Sequence, residues 1–291
     1  MSVQTVGYTL RTGFRVMGVG VKRDLTNIRR YKIRLIGWFL NMSIGMFTGY
    51  LFSVLFELNP ATVGETGISN ATQIFIFFIG GVAIGTFSDT ALWAPMGRIN
   101  QDIHYGTLEA VFVTPSNRVA YLLSPIFSDA LLNMIFFIPA YLIIMAVNGT
   151  LTNLYVIGTT LLVVGVTIAS MVAFGLFFAM IALLVRKSQP IAVFLSMLMQ
   201  FLCGAYVPVQ AYDAMHPVFG PMLKYFACCF PYTYCYDLFR FYTFGAGYST
   251  LFPVWSEFLI LGLTSLGFLV LAGFLLKVVE RKAKNVGLSI L

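Results

Sequence analysis

Few residues in this 291-residue chain are of types that do chemistry, and their spacing restricts what they can do. His104 and His216 lie far apart, and Cys203, Cys228, Cys229 and Cys235 lack the paired spacing of a zinc site, so no metal centre is implied. There is no G-x-x-x-x-G-K-[ST] loop to cradle phosphate, no H-E-x-x-H zinc pair and no G-x-S-x-G nucleophile turn. Catalysis by this chain alone is not expected. The remaining candidates are acids and amides in apolar runs. Asp129 and Asn133 are four apart and share a helix face, and Asp89 stands in the preceding run. Such groups face protein or water when they lie inside a membrane. For Asp129 a hydrogen bond between helices and a contact with a substrate or ion both fit, and Asp89 is close enough to one end of its run to stay hydrated.

The elements that position these residues are apolar helices. Hydrophobic residues make up 59% of the chain and charged residues 10%, against roughly a quarter charged in an ordinary soluble domain. Six apolar runs, near 35–56, 72–95, 120–147, 154–185, 190–207 and 254–279, suit helices crossing a membrane. A helix needs about 20 residues to cross a ~30 Å hydrocarbon core, and a closed barrel would show short alternating segments instead. The formal charge of +7 does not indicate nucleic acid, because the basic residues sit at the ends of apolar runs.

Charge also sets the orientation. Residues 1–34, the connections 98–118 and 186–189, and the C-terminal end together hold 16 of the 18 basic residues, while 57–71 and 148–153 hold none. Both termini are therefore expected in the cytoplasm. Within the N-terminal segment Leu10, Phe14, Met17 and Val21 recur at helical spacing opposite Arg11, Arg15 and Lys22, as in a helix lying in the membrane interface. Gly7, Gly13, Gly18 and Gly20 weaken that helix, and a basic tail held by anionic lipid is the alternative. The first apolar run is too long for the core of a signal peptide and is expected to be retained. Gly80, Gly81, Gly85, Gly158, Gly165 and Gly175 would allow close helix contacts within one chain or between two. With no repeat and no soluble insertion, the expected organisation is an interfacial segment 1–34, one membrane domain 35–279 and a cytoplasmic tail 280–291.

The longest connection, 208–253, lies on the outer side. It is strongly aromatic and broken by Pro208, Pro217, Pro221 and Pro231, which fits short re-entrant or interfacial helices. A lid or exit gate and an ordinary aromatic belt are the two readings. Cys228, Cys229 and Cys235 fall here, either as a source of a disulfide or as small buried thiols.

The cytoplasmic connection contains Gly106-Thr107-Leu108-Glu109 followed by Thr114-Pro115. This resembles the cytoplasmic-loop motif of the type-two ABC exporter permeases. Gly204 and Pro208 at the end of the fifth run, then Pro231-Tyr232-Thr233-Tyr234 with Asp237 and Arg240, look like that family's C-terminal pattern. The resemblance covers nearly the whole chain and agrees with an all-α integral membrane protein of six spans. It implies a permease subunit of the plasma membrane, paired with a second copy ahead of a different permease chain, with two ATP-binding subunits beneath. ATP and Mg would belong to those subunits, with no cofactor in this chain, and lipids would surround it.

By the same resemblance Gly106, Thr107, Leu108, Glu109, Phe112, Thr114 and Pro115 would form the ATPase-coupling surface; capping of a loop helix by Glu109 is the alternative for that residue. Phe75, Phe78, Phe194, Met197 and Phe201 would line a path at the dimer seam. Gly204, Pro208, Pro231, Tyr234, Asp237 and Arg240 would form the outer gate. The expected cargo is an amphiphilic drug or lipid, with lipid-linked polysaccharide as the alternative. An ATPase-independent channel or secondary transporter is the rival class and would need a stronger intramembrane ion site than Asp129 and Asn133 offer.

Overall fold

The computed structural model describes residues 3–30, 32–55, 70–107, 117–185, 189–245 and 248–286, and every regular element among them is a helix. In chain order these are α1 (Val3–Arg30), α2 (Lys32–Leu55), α3 (Ala71–His104), α4 (Arg118–Asn148), α5 (Leu154–Leu184) and α6 (Gln189–Leu202). A 3-10 turn at Val209–Ala211 leads to α7 (Tyr212–Met215), α8 (Phe219–Ala227), α9 (Pro231–Phe244) and α10 (Val254–Val286). Four helices, α3, α4, α5 and α10, are long and apolar enough to cross a membrane. α6 is apolar but has 14 residues, which is about 21 Å of helix at 1.5 Å per residue. The run 190–207 is not helical throughout because Gly204 adopts φ +100°, a left-handed conformation that ends the helix, and Pro208 cannot resume it.

Local sequence sets the other helix ends. The side chain of Asn117 accepts from the N–H groups of Val119 and Ala120, and Asn153 does the same for Tyr155 and Val156, so each caps the helix that follows. Gly149 closes α4 at φ +68°.

α3 is the central helix. Its most apolar stretch is 72% buried, against 11% for α10, and it packs against α2, α4, α5, α6 and α9. Glycines make these approaches close: a Cβ at Gly80 would meet the Phe239 ring at 2.9 Å, and one at Gly81 would meet the Ala205 carbonyl oxygen at 2.1 Å. Pro95 of α3 lacks the N–H that would bond the Ala91 carbonyl in an unbroken helix. Gly175 of α5 lies against that carbonyl, where a Cβ would sit 3.1 Å from the oxygen and 2.8 Å from Ile126 Cδ1. Gly158 and Gly165 make no such approach among the described residues, which leaves a contact between two chains as their expected use. They lie on the exposed side of α5, where an added Cβ would meet no atom of the other described residues within 4 Å.

α1 runs unbroken through its glycines and lies along α4. The glycines explain the fit: a Cβ at Gly20 would stand 2.5 Å from Ser124, and one at Gly13 would stand 3.1 Å from the Asn117 amide. With Asp24 and the buried Ile28 they form the face turned to protein. Phe14, on the expected apolar stripe, points outward and is 69% exposed.

Candidate functional site

The C-terminal end of α3 gathers charge from three helices. Arg98 is buried, and its Nη1 lies 3.1 Å from Asp24 of α1 while its Nε lies 3.4 Å from Asp102, one turn along α3. From α4, the Ser128 hydroxyl donates to Asp24 at 3.3 Å and the Tyr121 hydroxyl donates to Asp102. Two carboxylates and one guanidinium thus tie α1, α3 and α4 together, and each bond polarises the next. The connection expected at 98–118 is correspondingly shorter, since α3 continues to His104.

Gly106 and Thr107 close this helix. Gly106 has φ +66°, its N–H donates to Ile103 at 3.1 Å, and the Thr107 N–H donates to Asp102 at 2.9 Å, the paired bonds of a Schellman turn. The Thr107 hydroxyl adds a 3.0 Å bond to the Asp102 carboxylate. The first two motif residues therefore order the turn that carries Asp102. Leu108, Glu109, Phe112, Thr114 and Pro115 lie outside the described residues, as do Arg186 and Lys187.

At the other end of α3 the six expected gate residues are drawn into one unit around α9. Arg240 is 2% exposed; its Nη1 donates to the Gly204 carbonyl and its Nη2 donates to the Ala205 carbonyl at 2.9 Å. Its guanidinium carbon lies 3.5 Å from the centroid of the Phe77 ring of α3. A planar fork matches two successive carbonyls and stacks on an aromatic face, which an ammonium group does not. Asp237 accepts from the Tyr248 hydroxyl at 2.6 Å, from Gln210 Nε2 at 2.9 Å and from the Leu251 N–H at 2.7 Å. Pro208 opens the 3-10 turn, its carbonyl accepting the Ala211 N–H at 3.0 Å. Pro231 begins α9, where no intrahelical N–H is needed, and the Tyr234 hydroxyl donates to the Cys228 carbonyl at 2.8 Å. All four cysteines are free thiols, Cys203 and Cys235 buried.

The path residues divide. Phe194, Met197 and Phe201 are 64%, 59% and 61% exposed, on a different face of α6 from Ser196 and Gln200, which bond to α3. Phe75 meets Tyr50 of α2, ring centroids 6.2 Å apart. Phe78 and Phe201 are joined through Tyr206, whose ring lies 6.5 Å from the first and 5.3 Å from the second. Behind them a cavity of about 500 Å³ lies between α2, α3, α4 and α6, with Asp89, Asp129 and Asn133 in its lining. Asp89 accepts from Ser196 Oγ at 2.6 Å and Gln200 Nε2 at 2.8 Å. Asn133 Nδ2 donates to the Thr86 carbonyl at 2.9 Å and to Thr90 Oγ1 at 2.6 Å.

The sequence profile described as ABC-2 type transporter matches residues 16–244, from within α1 to the last residue of α9. The chain belongs to the ABC-2 type transporter family. No curated protein matches it. An ABC-2 membrane domain is the transmembrane permease component of an ABC transporter and a multi-pass membrane protein, and ATP hydrolysis resides in an ATP-binding partner subunit.

Several residues of this ABC-2 chain that bind the pieces together were missed by reading its sequence. Ser196 and Gln200 carried a usable signal, being polar residues four apart on an otherwise apolar run. Asp24 carried another as the sole acid in a basic segment. Tyr206, Gln210 and Tyr248 carried none, since an aromatic or amide near a helix end is ordinary and their partners are distant in sequence.

Proposed function

We propose that this ABC-2 permease moves an amphiphilic or lipid-like compound from the cytoplasmic side outward, driven by two ATP-binding subunits docked beneath a pair of permease chains, two copies of this one. In this reading α2 and α6 join the four longer helices as membrane spans, giving six, and both termini lie in the cytoplasm. α1 rests in the interface and the outer segment 208–253 acts as gate. The observation that supports it is the uninterrupted family match, which takes in both the segment after α3 and the Arg240-centred segment.

α3 supplies the mechanical link. From Asp102 to Gly81 it is a continuous helix of about 32 Å at 1.5 Å per residue, with the motif turn at one end and the Arg240 seat against Gly81 and Phe77 at the other. Closure of the ATPase pair would press on the segment after Gly106, and α3 would carry the displacement to the α6 exit and α9. ATP must bind the two arrangements with different strength for this to work. Glu109 is the proposed polar contact with the ATPase, Leu108 and Phe112 its apolar anchors, and Thr114 and Pro115 the end of the coupling surface.

The test is reconstitution of the permease with its ATP-binding partner in proteoliposomes. ATP-dependent movement of a fluorescent amphiphile is expected, and Glu109→Arg should abolish both transport and its stimulation of ATP hydrolysis while assembly persists. Unchanged transport in Glu109→Arg removes the coupling role. Transport by the chain without the partner favours the secondary-transporter class, and undecorated lipid-linked glycan accumulating inside a deletion strain replaces the amphiphile with a polysaccharide cargo.

A further inference from the structure

We propose that the cavity between α2, α3, α4 and α6 is a binding site for a monovalent lipophilic cation, an aromatic or alkyl body carrying one positive charge, with Asp89 as its counter-ion. It deepens the export reading, because the guest would be the cargo. Among the described residues the lining contains two carboxylates, Asp89 and Asp129, and no Lys, Arg or His. Arg240 lies across Gly81 from the cavity, but its Nη1 and Nη2 are held by the carbonyls of Gly204 and Ala205. A buried carboxylate such as Asp89 is costly to remove from water, and a positive guest offsets that cost, whereas an anion adds a like charge.

Asp89 is built for such contact. Ser196 and Gln200 each occupy one of its oxygens, and a carboxylate has about four acceptor positions, so both oxygens keep capacity toward the cavity. The same two bonds come from α6 and fix the carboxylate's orientation. The rest of the wall is aromatic: Phe78, Trp93, Phe136 and Tyr206 line it, and ring faces attract cations by their quadrupoles. The volume of about 500 Å³ falls in the roughly 300–1,000 Å³ range of sites for drug-sized molecules. Glycines set the wall thickness, since a Cβ at Gly45 would stand 2.9 Å from Val82 and one at Gly49 would stand 2.8 Å from Phe78.

The purified full-length chain in nanodiscs would be dialysed to equilibrium against radiolabelled tetraphenylphosphonium and, separately, its anionic isostere tetraphenylborate, with protein-free nanodiscs as blank. Saturable phosphonium binding is expected, at least tenfold tighter than borate binding and at least tenfold weaker in Asp89→Asn. Thr48→Trp, which fills the mouth from an exposed α2 position, should reduce phosphonium binding as strongly and decides the matter if Asp89→Asn does not fold. Absence of saturable phosphonium binding, equal binding of the borate, or unchanged affinity in the folded variants overturns the proposal. ATP-driven efflux of a neutral amphiphile without phosphonium binding leaves export standing and removes this site; phosphonium binding without any ATP-driven efflux keeps the site and removes export.

Discussion

Gly106 and Arg240 show single residues acting through backbone geometry. At φ +66° a side chain at Gly106 would crowd the following carbonyl, at a cost of about 1–2 kcal/mol for an L-residue. Gly106→Ala should lower the melting temperature of the detergent-solubilised chain, and Gly106→Asn should lower it less, because asparagine tolerates this conformation. Backbone strain is the expected cause, since no atom of the other described residues lies within 4 Å of the Gly106 Cβ position. Arg240→Met would leave the Gly204 and Ala205 carbonyls without their donors in a buried site, a loss of about 3 kcal/mol or more. Its monodisperse yield by size exclusion should fall sharply. Arg240→Lys should fail to restore it, since a point charge on a flexible stem cannot reproduce the two-pronged contact.

Helix pairs in this protein are held apart or together by single Cβ atoms. Gly20→Leu on α1 would drive a side chain into Ser124 of α4, an overpacking cost of about 1–3 kcal/mol, and would strain the Asp24–Arg98 pair one turn further on. Trypsin should then cut after the half-exposed Arg23 several-fold faster, and Ser124→Gly in the same chain should slow it again. Gly175→Val makes the comparable case for α5 on α3: it pushes against Ile126 and against Ala91, whose carbonyl Pro95 leaves without its helical donor. Its melting temperature should fall, whereas Gly165→Val, whose Cβ would meet no atom of the other described residues within 4 Å, should leave it unchanged.

Across the whole molecule, the outer faces are covered in large apolar side chains, and α10 has most of its circumference turned away from the core. A surface of this kind is stable in lipid and not in water. Trp255 at the start of α10 is 80% exposed. In a Trp38→Phe, Trp93→Phe background its fluorescence should be quenched by reconstitution into lipid brominated on the acyl chain near the headgroup. Unchanged fluorescence would place this end of α10 against protein instead of lipid.

Much of this was legible in the sequence because membranes simplify the code. A run of apolar residues has only one good way to satisfy its backbone in lipid, so the helices at α3, α4, α5 and α10 follow from composition and length alone. Asn117, Gly149 and Pro231 mark their own boundaries, since caps and breakers act within a few residues. The motif strings fixed the family for the same reason, being local. What required the fold is everything that depends on partners far along the chain: Asp24 meeting Arg98, Arg240 reaching Gly204, Tyr206 joining Phe78 to Phe201, and Ser196 and Gln200 turning Asp89 into an oriented carboxylate. Hydrophobic periodicity is silent on such pairs, because an apolar helix all round offers no preferred face. Small residues on α2 and α3, packed at van der Waals distance, decide which faces meet and leave a charged cavity between them.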